Sequence, residues 1–190
     1  MEDVASGVGV SMVRENLDDI PKYDLPAPYT IRCYQSGDDQ NWLRIEKEAE
    51  KHSNIMDDLF EDQFGKFPGL LKDRQFFICD GNGKEIGTAT AWYDSDHNGK
   101  VYGLVHWVAI IPSEQGKGLG KPLMMTVCNR LKELDYERAY LNTSTVRVPA
   151  ISLYLKFGFM PEIKNDRDKR VWEQFFILNP SVRMNQINFT

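Results

Sequence analysis

The sequence predicts an α/β (α+β) domain built around one mixed sheet, and three observations carry the prediction. Strand-like segments crowd the middle of the chain around a hairpin signal. The strongest of them, Val101–Ile111, runs straight into a glycine-rich turn and an amphipathic helix. Beyond that helix a strand, a short helix and a further strand-like run follow one another.

Residues 1–28 are polar and broken by Pro21, Pro26 and Pro28, so they read as an N-terminal arm leading into a domain over 29–180, with a C-terminal tail at 181–190. Such an arm packs either on its own domain or on a neighbouring copy, as in a homodimer. Tyr29–Tyr34 reads as a first strand. Asp38 to about His52 places Trp42, Ile45 and Ala49 at helical spacing, and Ile55–Leu71 is a second, broken helical region rich in acids. Phe76–Cys79 and Ile86–Tyr93 are strand-like, with turn residues Gly81–Lys84 between them, and a second turn falls at His97–Gly99. Leu123, Met124, Val127, Cys128, Leu131 and Leu134 mark one face of a helix. Ala139–Leu141 starts another strand. Pro149 opens a short helix through Ile151, Leu153, Tyr154 and Phe157 that stops at Gly158, and Val171–Leu178 reads as a last strand.

The bulk numbers narrow the classes. A chain of 190 residues with 42% hydrophobic and 27% charged residues is an ordinary soluble globular domain, and a net charge of −5 argues against a general nucleic-acid binder. The opening MEDVASGVGV has no basic region before an apolar run, and no stretch has the roughly 20 apolar residues of a membrane span. Cys33, Cys79 and Cys128 form no CxxC pair and sit in apolar segments, so they read as reduced core thiols of a cytoplasmic protein without a membrane partner. His52, His97 and His106 lack metal-ligand spacing, and no metal is expected.

The chemistry concentrates in PSEQGKGLGKP, Pro112–Pro122. Strand, glycine-rich turn and helix together present free backbone N–H groups to an anion, and the helix macrodipole adds about half a positive charge there. A P-loop fails, because Gln115 stands where its first glycine belongs and Pro122 where its hydroxyl belongs. A dinucleotide GxGxxG fails because glycines 116, 118 and 120 alternate. On the residues alone, the stretch is either an anion-binding loop or a glycine turn into an ordinary helix.

Gln-x-x-Gly-x-Gly at Gln115, Gly118 and Gly120 is similar to the acyl-CoA pyrophosphate loop of the GNAT superfamily of N-acetyltransferases. AISLYLKFGFMPEI, Ala150–Ile163, resembles the same family's later signature, a helix carrying Leu-Tyr that ends in Gly-Phe. The two occur in the family's order with a helix and a strand between them, and the resemblance covers roughly Tyr29–Leu178.

The resemblance implies a mostly antiparallel central sheet flanked by helices, and an acetyl-CoA-dependent N-acetyltransferase acting on a primary amine of a small molecule or peptide. The alternative of another class is a non-catalytic acyl-CoA-binding domain of the same fold. Acetyl-CoA is the implied co-substrate. Its pyrophosphate would lie against the backbone of Gln115, Gly116, Lys117, Gly118, Leu119, Gly120 and Lys121, and its pantetheine arm against Val108, Ala109 and Ile110. The N–H of Ile110 would face the oxyanion, and Tyr154 would be the acid that protonates the departing sulfur. An alkylamine has a pKa of about 10.4, so the acceptor must also lose a proton. The expected base is His106, acting directly or through water, or ordered water alone; the other reading of His106 is a satisfied core histidine. Strand alternation puts His106 on one face with Leu104, Val108 and Ile110, and serotonin-type members of the family carry histidines on this part of the strand. Many ribosomal-protein acetyltransferases carry a glutamate where this chain has Asn142, which cannot act as a base. Arg147 stands where an asparagine often precedes the signature helix, within reach of a cofactor phosphate.

Overall fold

A computed structural model describes residues 4–182. Seven strands form one sheet in the order β2-β3-β4-β5-β6-β1-β7: β1 (Gly9–Arg14), β2 (Thr30–Cys33), β3 (Gln75–Cys79), β4 (Glu85–His97), β5 (Lys100–Ile110), β6 (Ala139–Ser144) and β7 (Met160–Pro161). Every neighbouring pair is antiparallel except β5 and β6, so the sheet is mixed and mostly antiparallel as expected. The β4–β5 hairpin closes through Asn98 and Gly99, both at positive φ, the geometry of a tight hairpin turn.

The helices are α1 (Asp38–Ala49), α2 (Leu59–Phe64), α3 (Leu71–Arg74), α4 (Gly120–Glu133), α5 (Val148–Lys156) and α6 (Asp166–Leu178). Adjacent residues of β5 point to opposite faces of the sheet, which places two helical layers. A Cβ on Gly103 would strike Leu131 of α4 at 2.8 Å, so that glycine lets α4 lie close on its face. On the other face α1 and α2 pack through an aromatic cluster in which Trp42 meets Phe60, Phe64 and Trp107, while Phe64 meets Trp92 and His106. No helix of the described residues is long and apolar enough to cross a membrane.

Three expectations change. Residues within 1–28 do not only lead into the domain, because Gly9–Arg14 is an inner strand between β6 and β7. The prolines at 21, 26 and 28 lie beyond it and mask its alternation, with Met12 and Arg14 buried and Val13 between them half-buried. Val171–Leu178 is not a strand but the end of α6. Asn165 caps that helix by accepting from the N–H groups of Arg167 and Asp168, and Asp168 accepts in return from the N–H of Lys164. Val171, Trp172 and Phe175 then share its buried face. Cys33 is exposed on edge strand β2, whereas Cys79 and Cys128 are buried. The expected tail lies, past Val182, outside the described residues.

Candidate active site

The β5–β6 ladder pairs Gly103 with Ala139 and Leu104 with Tyr140 and goes no further. β5 runs on to Ile110 and β6 to Ser144, and the two diverge. The cause lies in β5. Thr90 pairs with His106 but Thr88 with Ala109, so an extra residue bulges out, and Trp107 takes a φ of 48°. A non-glycine residue at positive φ is strained, and such strain collects at functional sites. The wedge exposes a strip of β5 backbone on the side away from β4. The N–H of Ile111 bonds the carbonyl of Ile86, so the preceding N–H, that of Ile110, points into the wedge. An extended chain can pair there as a missing strand would.

The glycine loop closes the wide end. Gly116 and Gly118 have φ of 79° and 82°, conformations that glycine adopts without strain. No side chain caps the start of α4, where the Lys121 N–H bonds the Gly118 carbonyl at 3.3 Å and Pro122 has no N–H to satisfy. Gln115 ties the loop to the strand, its amide donating to the Ile110 carbonyl at 2.8 Å. Lys117 is engaged with Glu114 at 2.9 Å and Lys121 lies over the Tyr23 ring. We expect Gln115→Ala to weaken coenzyme A binding roughly two- to tenfold in calorimetry, the worth of one net hydrogen bond.

α5, which follows the end of β6, carries Tyr154 at 7% exposure. Burial pushes its phenol up to about 12; Arg147 opposes that rise and Glu46 adds to it. The hydroxyl therefore keeps its proton at neutral pH. The C-terminal end of α5 is anchored by Arg14 of β1, whose guanidinium donates to the Phe157 carbonyl at 2.6 Å and to the carbonyls of Asn16 and Asp18. Arg147, at the start of α5, is ion-paired with Glu50 just past the end of α1 rather than free at the glycine loop. Asn142 accepts from the Ser11 hydroxyl at 2.7 Å. Beside Glu50 opens a cleft of about 600 Å³ whose lining includes Lys47, Asn54, Met56 and Asp57.

The bulge overturns the alternation expected for His106. Thr88 and Thr90 share a face of β4, so His106 shares its face with Ala109, and Val108 and Ile110 turn to the other. His106 lies under α2. The Trp107 indole can only donate, so the Gln63 oxygen it bonds at 3.0 Å is an acceptor, and His106 Nε2, 3.0 Å from that same oxygen, must carry a proton. Burial lowers its pKa to about 4. The unfolded chain then binds the extra proton between about pH 6.5 and 4, so this histidine makes stability fall as pH falls through that window. We expect His106→Gln to flatten that acid-side drop in Tm and to leave the rate profile between about pH 6 and 9 in place.

On the sequence alone Glu46 is only the first of the acids running to Asp62, in the region where the family builds its acceptor pocket. It is 5% exposed on α1, and its Oε1 is buried with no hydrogen-bond partner. Burial raises its pKa to about 8, Arg147 pulling down and Glu50 pushing up. The available signal was position: it stands one turn beyond Trp42 and next to Ile45, on the face that meets the sheet.

Known proteins share this fold. A GCN5-related N-acetyltransferase from Sphaerobacter thermophilus superposes with a TM-score of 0.63 at 19% identity, over 81% of this chain and 48% of that one. The ribosomal-protein-S18-alanine N-acetyltransferase from Escherichia coli superposes with a TM-score of 0.56 at 21% identity, over 68% of this chain and 76% of that one. A mycothiol acetyltransferase from Pseudarthrobacter chlorophenolicus is 27% identical over 176 residues, 83% of this chain and 53% of that protein. The chain thus spans about half the length of the curated relatives it matches. Residues 38–159 match the acetyltransferase (GNAT) family as a whole, from the start of α1 to the Gly-Phe that ends the signature, and the chain belongs to that family.

Proposed function

We propose that this protein transfers the acetyl group of acetyl-CoA to a primary amine of a small molecule, by direct attack of the amine on the thioester. The observation that carries the reading is the divergence of β5 from β6 ahead of a glycine-rich loop whose helix, α4, has no side-chain cap, with a protonated, buried Tyr154 on the helix that follows β6. The donor fits these residues. A strip of unpaired β5 backbone suits an extended amide-bearing arm, and loop N–H groups at a helix start suit a pyrophosphate. When bound, acetyl-CoA supplies the activated acyl group.

The chain supplies the rest. Val108, Ala109 and Ile110 hold the arm, and the Ile110 N–H faces the carbonyl oxygen as charge builds on it. Tyr154 gives its proton to the leaving sulfur. Relatives named for mycothiol support a small-molecule acceptor over a peptide. Three free cysteines support a cytoplasmic setting.

A panel of primary amines followed by thiol release tests the reading. Turnover with at least one amine, dependent on acetyl-CoA, is expected. Tight coenzyme binding by calorimetry with no thiol release from any amine would instead make the protein a non-catalytic acyl-CoA-binding domain.

A further inference from the structure

A carboxyl group shut away from water with an oxygen left unpartnered is expensive, and each such group in a folded protein calls for an explanation. Glu46 is such a group. Its Oε1 has no partner, although Arg147 lies close enough to act on its charge and is ion-paired with Glu50 instead. The position is also informative. α1 lies over β4 and β5, and Glu46 is near enough to Arg147 and Tyr154 for their charges to act on one another, which puts it beside α5.

We propose that Glu46 is the acceptor-binding carboxylate of the acetyl transfer inferred above: it receives the substrate's ammonium group and takes one proton from it. The N–H bond breaks and its electron pair stays on nitrogen. The proton joins Glu46, and the freed pair attacks the acyl carbon. Tyr154 protonates the sulfur as the C–S bond breaks. Afterwards Glu46 releases its proton to water and Tyr154 regains one.

The surroundings suit the role. Arg147 and Tyr154 face Glu46 from α5, and Glu50 faces it from the next turn along the chain. α2 turns Phe60 and Phe64 toward Trp42, which lies on the same helix as Glu46. Glu46 and Tyr154 are two acids whose affinities for protons are set well apart, the pattern of a base and an acid sharing one reaction. Arg147 and Glu50 act as positioning residues, holding the end of α1 against the start of α5.

The test uses the full chain with Glu46→Gln and Glu46→Asp. Coenzyme A affinity, by calorimetry, should stay within about twofold for both. With the amine that the parent uses best, Glu46→Gln should lower kcat/KM about 10²- to 10⁴-fold and remove the ascending limb of the pH profile, and Glu46→Asp should retain part of both. A Glu46→Gln enzyme with the parent's rate and profile overturns the proposal, as does one that loses coenzyme binding along with activity, since Glu46 would then be structural. A second measurement separates this idea from the acetyl-transfer reading. The ¹³C carboxyl signal of Glu46, assigned by its loss in Glu46→Gln, is followed as propylammonium chloride is added to the coenzyme A complex. A saturable shift beyond a sodium chloride control supports the amine site even if the parent acetylates nothing in the panel, and no shift removes it.

Discussion

Gly118→Val is expected to weaken acetyl-CoA binding by about a hundredfold. The residue holds φ at 82°, where an L side chain costs roughly 1–2 kcal/mol and a β-branched one more. No atom lies within 4 Å of a Cβ built there, so the protein itself does not object to the added bulk. The loss has two sources: the loop turns away from the conformation that aims its N–H groups, and the new methyls occupy the open side where an anion would sit. Gly120 behaves differently. Its φ is not positive, and a Cβ there would meet Leu153 of α5 at 3.1 Å, so Gly120→Val tests the α4–α5 contact more than the phosphate approach. Lys117→Ala should change little, because that ammonium is exposed and already engaged with Glu114. Calorimetry on the three variants checks the ranking, and a Gly118→Val protein with the parent's affinity would remove the loop from the coenzyme site.

Tyr154→Phe is expected to lower kcat about 10²- to 10⁴-fold while coenzyme affinity stays within about twofold. The hydroxyl enters no hydrogen bond among the described residues that shifts its pKa, so little packing is lost with it. The ring still meets Phe159. If the variant turned over normally but melted several degrees lower, Tyr154 would be a core aromatic and nothing more.

Most of the sheet and the glycine-rich turn into α4 were legible in local sequence. Turn residues at 81–84 and 97–99 delimit β4 and β5, and the Gln-x-x-Gly-x-Gly pattern needs only its own neighbourhood to be recognised. What was hidden depends on long-range geometry. The bulge at Trp107 leaves an unbroken apolar run in the letters, yet it reverses the face of every residue after it, which is why the alternation drawn for His106 failed. Glu46 reads as one acid among many in α1 and the loop beyond it. Only packing shows that its oxygen is sealed in while that of Asp57 lies in solvent.

β1 has a consequence for the order of assembly. Ser11 and Asn142, partners across the β1–β6 ladder, are 131 positions apart, so a strand made early must wait unpaired until most of the domain has been synthesised. Closing so long a loop is entropically unfavourable and slow compared with forming the β4–β5 hairpin. Arg14, at the end of that early strand, grips the last turn of α5. The far end of the helix that carries Tyr154 is therefore gripped late, and the nascent chain holds a folded β4–β5 hairpin before α5 has all of its anchors.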